Sequence, residues 1–331
     1  MNTSNLDSGN VILTRYRKGE RNFTGIKLIK AKLVKANLNR INLRQAKLRG
    51  ANLSEVKLIA SNLNSIDLSQ GNLSKAKLVE TTLSNAILTE AILVEADLSG
   101  AILCHANIYK ADLSNACLVS SSLIQAQLSE TQLRSANLTA ATLTRAILCD
   151  ANLERAIFTK AILSEANLSR ANLTQTILIR ASLNRANLQK ANLKQADLSL
   201  ADLRGANLKG ANLEGANLEG TNLEGANLTG ANLNKANLQE AKLKSANLKQ
   251  TQLTQANLTG SSLLNAKLCN ANLSGANLFQ AGLLLSDLKG ANLSGTNLNE
   301  ANLIGANLSK TNFLAASLEK TIMPNGTQIA I

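Results

Sequence analysis

The chain has 331 residues and a net charge of +13, with no Trp, one Pro and only 2% aromatic residues. A conventional core of this size needs large aromatic side chains to fill its irregular space, so the composition argues against one or two ordinary globular domains. The positive charge permits contact with anionic partners and argues against an acidic exterior.

A short helix is predicted near the N-terminus. Asn10 can cap its start and Gly19 can stop it. Ile12, Leu13 and Tyr16 would then share one apolar face, which would cover the start of the fold that follows. The first ten residues are polar and the early apolar run is very short, so we expect neither a secretion signal nor a membrane span.

From residue 22 to residue 323 a five-residue repeat runs without interruption. Every fifth residue from Phe23 to Met323 is Leu, apart from a few Phe, Ile and Met. A small residue, usually Ala, lies two positions before each Leu, and Asn is the most common residue directly before it. The repeat is therefore A-N-L-x-x.

A period of five fits neither a helix nor a straight strand. In an α-helix each repeat would rotate the leucines by a net ~140°, so they would share no face. In a strand an odd period would point successive leucines to opposite sides. The pattern fits a chain that turns after each short extended stretch. It predicts an all-β helix with Leu and Ala inward and the other three positions outward.

The pattern leaves open the type of turn and the number of residues in one coil. Gly205 and Gly210 end their repeats, as a type II turn with positive φ favours, whereas most repeats end in larger residues, which predicts a second turn type. A 20-residue coil would pair Lys35 with Glu55, and a 15-residue coil would pair positions such as 87 and 102. The frequent Asn predicts ladders of stacked amides.

Catalytic groups are scarce. The single histidine, His105, follows Cys104, but consecutive outward residues point apart and no third group is identifiable. Asp197 and Asp202 would lie on successive sides, too far apart for paired carboxylate chemistry. The four cysteines form no C-x-x-C pair, which argues against zinc, redox and disulfide frameworks. We therefore predict no enzyme activity, cofactor or metal, and a reducing, cytoplasmic location.

One outward feature is a basic segment between residues 15 and 57, with thirteen basic residues and two acidic ones. We predict that it binds an anionic partner (nucleic acid, an acidic protein or a membrane surface), the alternative being a cap that only keeps the chain soluble. Nucleic acid is not favoured, because few aromatic residues for base stacking lie nearby. The basic residues are Arg15, Arg17, Lys18, Arg21, Lys27, Lys30, Lys32, Lys35, Arg40, Arg44, Lys47, Arg49 and Lys57.

A second outward feature is apolar and lies near the C-terminal end. Outward apolar side chains reduce solubility unless covered, so we predict an interface, most simply a homodimer, against the alternative of scattered residues of no consequence. The tail after Pro324 offers little apolar area to cover the last coil, and an open edge favours pairing with another chain. The candidate interface residues are Leu264, Phe279, Leu284, Leu285, Ile304 and Leu314.

The repeat resembles that of the pentapeptide repeat family, whose motif is a small residue, Asn or Asp, Leu and two variable residues. The resemblance covers residues 22–323 and implies a right-handed quadrilateral β-helix of about fifteen coils, about 70 Å long. Both ends resemble the cyanobacterial branch, with YRKGERNF at 16–23 and MPNGT at 323–327. We expect an N-terminal segment with the capping helix at 1–21, the β-helix at 22–323 and a tail at 324–331.

The leading functional prediction is a non-enzymatic scaffold that binds protein partners along its faces, in a regulatory role. The resemblance also implies an alternative, since some family members mimic DNA, bind DNA gyrase and protect it from quinolones. A DNA mimic needs an acidic exterior, and neither the net charge of +13 nor the unbroken register fits one. Binding of nucleic acid or an acidic protein through the basic segment is a third hypothesis, and it predicts steep salt dependence.

Overall fold

The computed structural model describes residues 8–330, which contain one helix, α1 (Ser8–Arg17), and a long succession of turns joined by single β-bridges. The chain divides into two compact units, Met1–Asn167 and Leu168–Ile331. Both units are built from the same kind of coil. No helix among the described residues is long and apolar enough to cross a membrane.

One coil contains twenty residues. Asn22 is bridged in parallel to Asn42 in the first unit, and Asn302 is bridged in parallel to Ile322 in the second. Because the chain turns once in every five-residue repeat, a coil has four sides. The 20-residue prediction is therefore confirmed. The competing 15-residue prediction is wrong, since Ile87 is bridged to residue 107 and not to residue 102.

The repeat that begins at Ala211 uses all five of its backbone N–H groups. The N–H groups of Asn212, Leu213 and Gly215 donate to carbonyl oxygens of the neighbouring coils at 2.6–2.9 Å. The N–H of Ala211 closes a turn within the coil at 3.0 Å. The fifth N–H, that of Glu214, donates to the side-chain Oδ1 of Asn212 at 3.2 Å. No buried donor of this repeat is left without a partner.

This hydrogen-bond count explains why Asn precedes the central Leu. Besides accepting the fifth N–H, Asn212 donates from Nδ2 to Oδ1 of Asn192 in the preceding coil at 3.2 Å. Asn232 donates in the same way to Asn212 at 3.1 Å. The predicted amide ladder is confirmed. Where Lys replaces Asn at position 57, the N–H of Ile59 instead bonds to Oδ1 of Asn39 in the coil before, at 2.9 Å.

All repeats turn in one way, whether or not they end in glycine. The last residue of every repeat from Gly25 to Lys320 has a positive φ, for example 56° at Lys30 and 64° at Gly205. The prediction of a second turn type is therefore wrong. A left-handed residue other than Gly costs roughly 1 kcal/mol or more. The neighbouring coil enforces it, because the N–H of Lys30 must reach the carbonyl of Arg49 at 2.9 Å.

The inward positions form a dry core in each unit. Central leucines such as Leu213 and small residues such as Ala211 are buried, which confirms the predicted inward assignment. Inward hydroxyls donate to backbone carbonyls, as Thr221 does to Leu198 at 2.9 Å. Ser261 differs, because its buried Oγ has no hydrogen-bond partner.

We expect the substitution Ser261→Ala to stabilise the protein by about 1 kcal/mol. It removes a hydroxyl that loses its hydrogen bonds to water on burial and gains none in the folded protein. The matched control is Ser286→Ala, since the hydroxyl of Ser286 donates to Leu283 at 2.8 Å. That control should leave stability unchanged or lower it. Urea unfolding midpoints of the full chain measure both, and a fall of stability in Ser261→Ala contradicts the expectation.

Helix α1 lies against the first coil. Gly9 is buried so close to the coil that a Cβ there would lie 2.5 Å from the carbonyl oxygen of Lys32, and Ile12 is fully buried. Helix α1 spans Ser8–Arg17, so Asn10 lies inside it and the prediction that Asn10 caps it is wrong. Gly19, with φ of 94°, ends the helix as predicted.

The C-terminal residues fold back on the last repeat. Ile322 is bridged antiparallel to Gln328, and the N–H of Met323 donates to the carbonyl of Thr327 at 2.8 Å. This hairpin covers little of the last coil. The inward side chains of the last coil, at positions 308, 313 and 318, are half-buried. The inward leucines of the preceding coils are buried.

Candidate functional site

The described residues contain no assembled set of catalytic groups. His105 is exposed at the left-handed turn position, with φ of 58°. The Sγ of the neighbouring Cys104 lies 3.2 Å from Oγ of Ser122 and not against the histidine. Between residues 8 and 330 no group of three His, Cys, Asp or Glu side chains is placed to hold a metal ion.

The four cysteines are free. Cys269 donates from Sγ to Oδ2 of Asp287 at 2.7 Å. Burial raises the pKa of Cys269, and the hydrogen bond to the Asp287 carboxylate raises it further. The same hydrogen bond lowers the pKa of Asp287. This cysteine is thus held as a thiol, which is the less nucleophilic form.

Some acidic side chains along the repeats pair with basic ones. Lys194 pairs with Glu214 at 3.1 Å across two coils, and Arg204 pairs with Asp202 at 2.7 Å on one side. The hydrogen bond from Arg204 lowers the pKa of Asp202. These acids are parts of exposed ion pairs and do not face one another.

The basic segment is spread round the first coils, on all four sides of them. The side of Leu28 and Leu48 carries Lys27, Lys30, Lys47 and Arg49; the next carries Lys32 and Lys35; the next carries Arg40 and Lys57; and the side of Phe23 carries Arg44. Arg15 and Arg17 lie in α1, and Lys18 and Arg21 lie in the connection after it. The basic segment therefore surrounds the first coils and does not form a single flat patch.

Few residues of the basic segment are neutralised. Arg15 pairs with Glu20, and Lys35 pairs with Glu55 at 3.6 Å. The other basic residues of the segment form no ion pair with any residue from 8 to 330. These unpaired positive charges create a positive electrostatic potential at the surface, which favours an anionic ligand.

Two adjoining cavities lie between α1 and the first coils, among the residues of the basic segment. Together we name them the helix groove. Their volumes are about 550 and about 480 Å³. Tyr16, Arg21 and Asn37 line both. The remaining lining residues are Asn39, Arg40, Ile59, Ala60 and Glu80 in the first, and Leu13, Arg17, Val34, Lys35 and Ala36 in the second.

The wall shared by the two cavities is held in place by several contacts. The hydroxyl of Tyr16 donates to the carbonyl of Asn39 at 2.8 Å, which ties α1 to the coil. The guanidinium of Arg21 lies 3.8 Å from the centre of the Tyr16 ring, and its Nη1 donates to the carbonyls of Tyr16 and Glu20 at 2.8 and 2.9 Å. The sequence pointed to the basic residues but not to this concave site.

In the second unit, Leu264, Leu284 and Ile304 form one column, because they occupy the same position in three consecutive coils. Leu285 follows Leu284 at the turn, is 58% exposed and packs over Gly305. We call these four apolar residues the leucine column. Leu264 and Leu284 are half-buried and Leu285 and Ile304 are exposed, so the four residues form an apolar strip on one side of the coil.

The other two predicted interface residues lie elsewhere on the coil. Phe279 is half-buried on the adjacent side, at the corner that leads to the leucine column. Leu314 is 74% exposed but comes two repeats after Ile304, which places it on the opposite side. The coil thus brings together four of the six candidates.

The sequence profile described as "Pentapeptide repeats" matches most of the chain. The matched ranges are 22–58, 51–89, 83–119, 126–164, 136–175, 166–205, 206–244, 246–281 and 286–323. A search among curated proteins found no match.

Many solved structures are similar to this chain, among them those of HetL, QnrB1 and Rfr23. HetL, a pentapeptide repeat protein involved in heterocyst differentiation regulation from the cyanobacterium Nostoc sp. strain PCC 7120, is 32% identical over 96% of this chain and 98% of its own, with a TM-score of 0.21. Full-length QnrB1, a plasmid-mediated fluoroquinolone resistance protein, is 18% identical over 55% and 91%, with a TM-score of 0.26. Rfr23 from the cyanobacterium Cyanothece 51142 is 28% identical over 37% and 90%, with a TM-score of 0.17.

The assignment rests on the profile, whose matches extend from residue 22 to residue 323, and on the repeat and coil that agree with it. This chain belongs to the pentapeptide repeat family.

Proposed function

We propose that the protein is a non-enzymatic scaffold that binds protein partners through the outward side chains of its coils, in a regulatory role. The observation that carries the proposal is the leucine column, in which Leu285 and Ile304 are exposed, on a coil whose inward positions are buried. A strip of this kind favours a protein interface, since exposed apolar area is costly in water. Affinity capture from native cell extract with the full chain tests the proposal, and loss of the captured protein in Leu284→Asp supports it.

The simplest partner for the leucine column is a second copy of the chain. We expect the wild-type protein to be a dimer by light scattering, and Leu284→Asp to be a monomer, because two carboxylates would be buried against apolar side chains. The matched control is Ile124→Asp, which changes a half-buried apolar residue at the same position of its repeat in the first unit. The control should remain a dimer. A wild-type monomer, or a dimer in both variants, contradicts the homodimer.

An anionic partner is the second candidate, favoured by the scarcity of ion pairs in the basic segment. Among anionic partners we favour an acidic protein over nucleic acid. Phe23 is buried, and the Arg21 guanidinium covers one face of the Tyr16 ring, so little aromatic surface is open to base stacking. The DNA-mimic hypothesis has the least support, because the net charge is +13 and acids such as Glu214 and Asp202 are paired with basic side chains.

Further details of the proposal follow from membership in the family. We propose a right-handed sense for the coils, about fifteen of them, with the division into 1–21, 22–323 and 324–331 expected from the repeat register. Four free cysteines are compatible with a cytoplasmic location, which we also propose.

A further inference from the structure

We propose that the helix groove binds an acidic peptide segment that carries an apolar residue beside its carboxylates. This inference rests on the scaffold function, since it names a way in which the protein would hold a partner. It is carried by the groove's fixed walls, its excess of basic side chains and its apolar floor.

The groove is already formed without a ligand. Its helical wall is anchored by buried Gly9 and Ile12 and by the hydrogen bond of Tyr16 to Asn39. Arg21 is fixed by its contact with the Tyr16 ring and by two backbone acceptors. A preorganised site loses less entropy when it binds a ligand than a flexible one does.

The charge of the groove selects an anion. Arg17, Arg21 and Arg40 line it together with Lys35, which pairs with Glu55, and Glu80 is the single acidic lining residue. Arg21 uses only Nη1 for its two backbone bonds, which leaves the Nε and Nη2 hydrogens for a carboxylate. Arg17 and Arg40 form no ion pair within residues 8–330.

The remaining lining selects a peptide over a nucleic acid. Leu13 and Val34 line one cavity, and Ile59 and Ala60 line the other, so each cavity offers apolar contact next to its arginines. Tyr16 is the one aromatic residue among the lining residues, and Arg21 already lies over its ring. A base would have at most one face of a single ring to stack on, whereas an aliphatic side chain between two carboxylates matches both kinds of contact.

The test measures binding of a short fluorescent peptide that alternates Glu and Leu to the full-length protein by fluorescence anisotropy. We expect saturable binding that weakens with salt, and about a tenfold or greater loss in the double variant Arg17→Gln with Arg40→Gln, because two charge-assisted contacts are lost. The matched control is Arg44→Gln with Lys47→Gln, which has the same net charge but changes residues outside the groove. It should alter binding less than about twofold.

Three results would overturn the inference: no binding by the wild-type protein at low salt, equal losses in both double variants, or tighter binding of a single-stranded oligonucleotide of matched charge. A peptide with Lys in place of Glu should not bind. The scaffold proposal fails separately. If native extract yields a captured protein that both double variants retain equally, the scaffold stands and the groove inference falls. If the peptide binds as expected but no protein is captured, the groove inference stands and the scaffold proposal falls.

Discussion

Replacing Leu213 with Asp is expected to destabilise the second unit by about 4 kcal/mol or more. Leu213 is fully buried, and the small inward residues on either side of it, Ala211 and Ala216, provide no hydrogen-bond donor. The carboxylate would lie in the dry core without a partner, which is among the most costly single changes in a folded protein. Thermal unfolding followed by circular dichroism measures the loss.

The loss should be local, because each coil contacts only its neighbours. Limited proteolysis of Leu213→Asp should therefore cut first in the coils next to residue 213. Thr229→Asp is the control, since it adds the same charge at an outward, half-buried position. It should change the unfolding temperature little. Equal destabilisation by the two variants would show that the inward assignment of the central Leu is wrong.

Phe158→Ala is expected to cost about 3–5 kcal/mol, because it leaves a large cavity in a closely packed core. Phe158 is completely buried and is the largest of the completely buried side chains. It stands at a position that Leu occupies one coil earlier, at Leu138. The free energy of unfolding in urea, from the midpoint and slope of the transition, measures the cost.

The matched variant Phe158→Leu restores the residue that the repeat normally has there. We expect it to cost less than about 1.5 kcal/mol, since the coil is built to hold Leu and only the extra ring volume is lost. A cost as large as that of Phe158→Ala would mean that the neighbouring coils are shaped specifically round the phenylalanine ring.

The sequence could predict which residues point inward because the five-residue period admits few backbone solutions. An odd period forces a turn in every repeat, and the regular Leu then marks the inner face from Phe23 to Met323. The regular period also predicted the Asn ladder, since identical residues that recur at one coil position must stack. Asn192 and Asn212 do so.

Local preferences predicted the turns and the helix start poorly. Lys30 disfavours a left-handed conformation, yet it adopts one because its N–H must reach the next coil. Asn10 favours a cap, yet it lies inside α1, next to Gly9, which packs against Lys32. In both places a contact with a residue distant in sequence outweighs a preference of about 1 kcal/mol.

The sequence by itself determined the repeat, its inward and outward positions and the lack of a recognisable catalytic set. Only the tertiary structure decided which outward residues are neighbours, because that depends on the 20-residue length of a coil, which a five-residue period leaves open. The coil joins Leu264, Leu284 and Ile304 and separates Leu314 from them. Packing of α1 on the first coil likewise created the helix groove, since its basic and apolar walls come from segments that no local pattern connects.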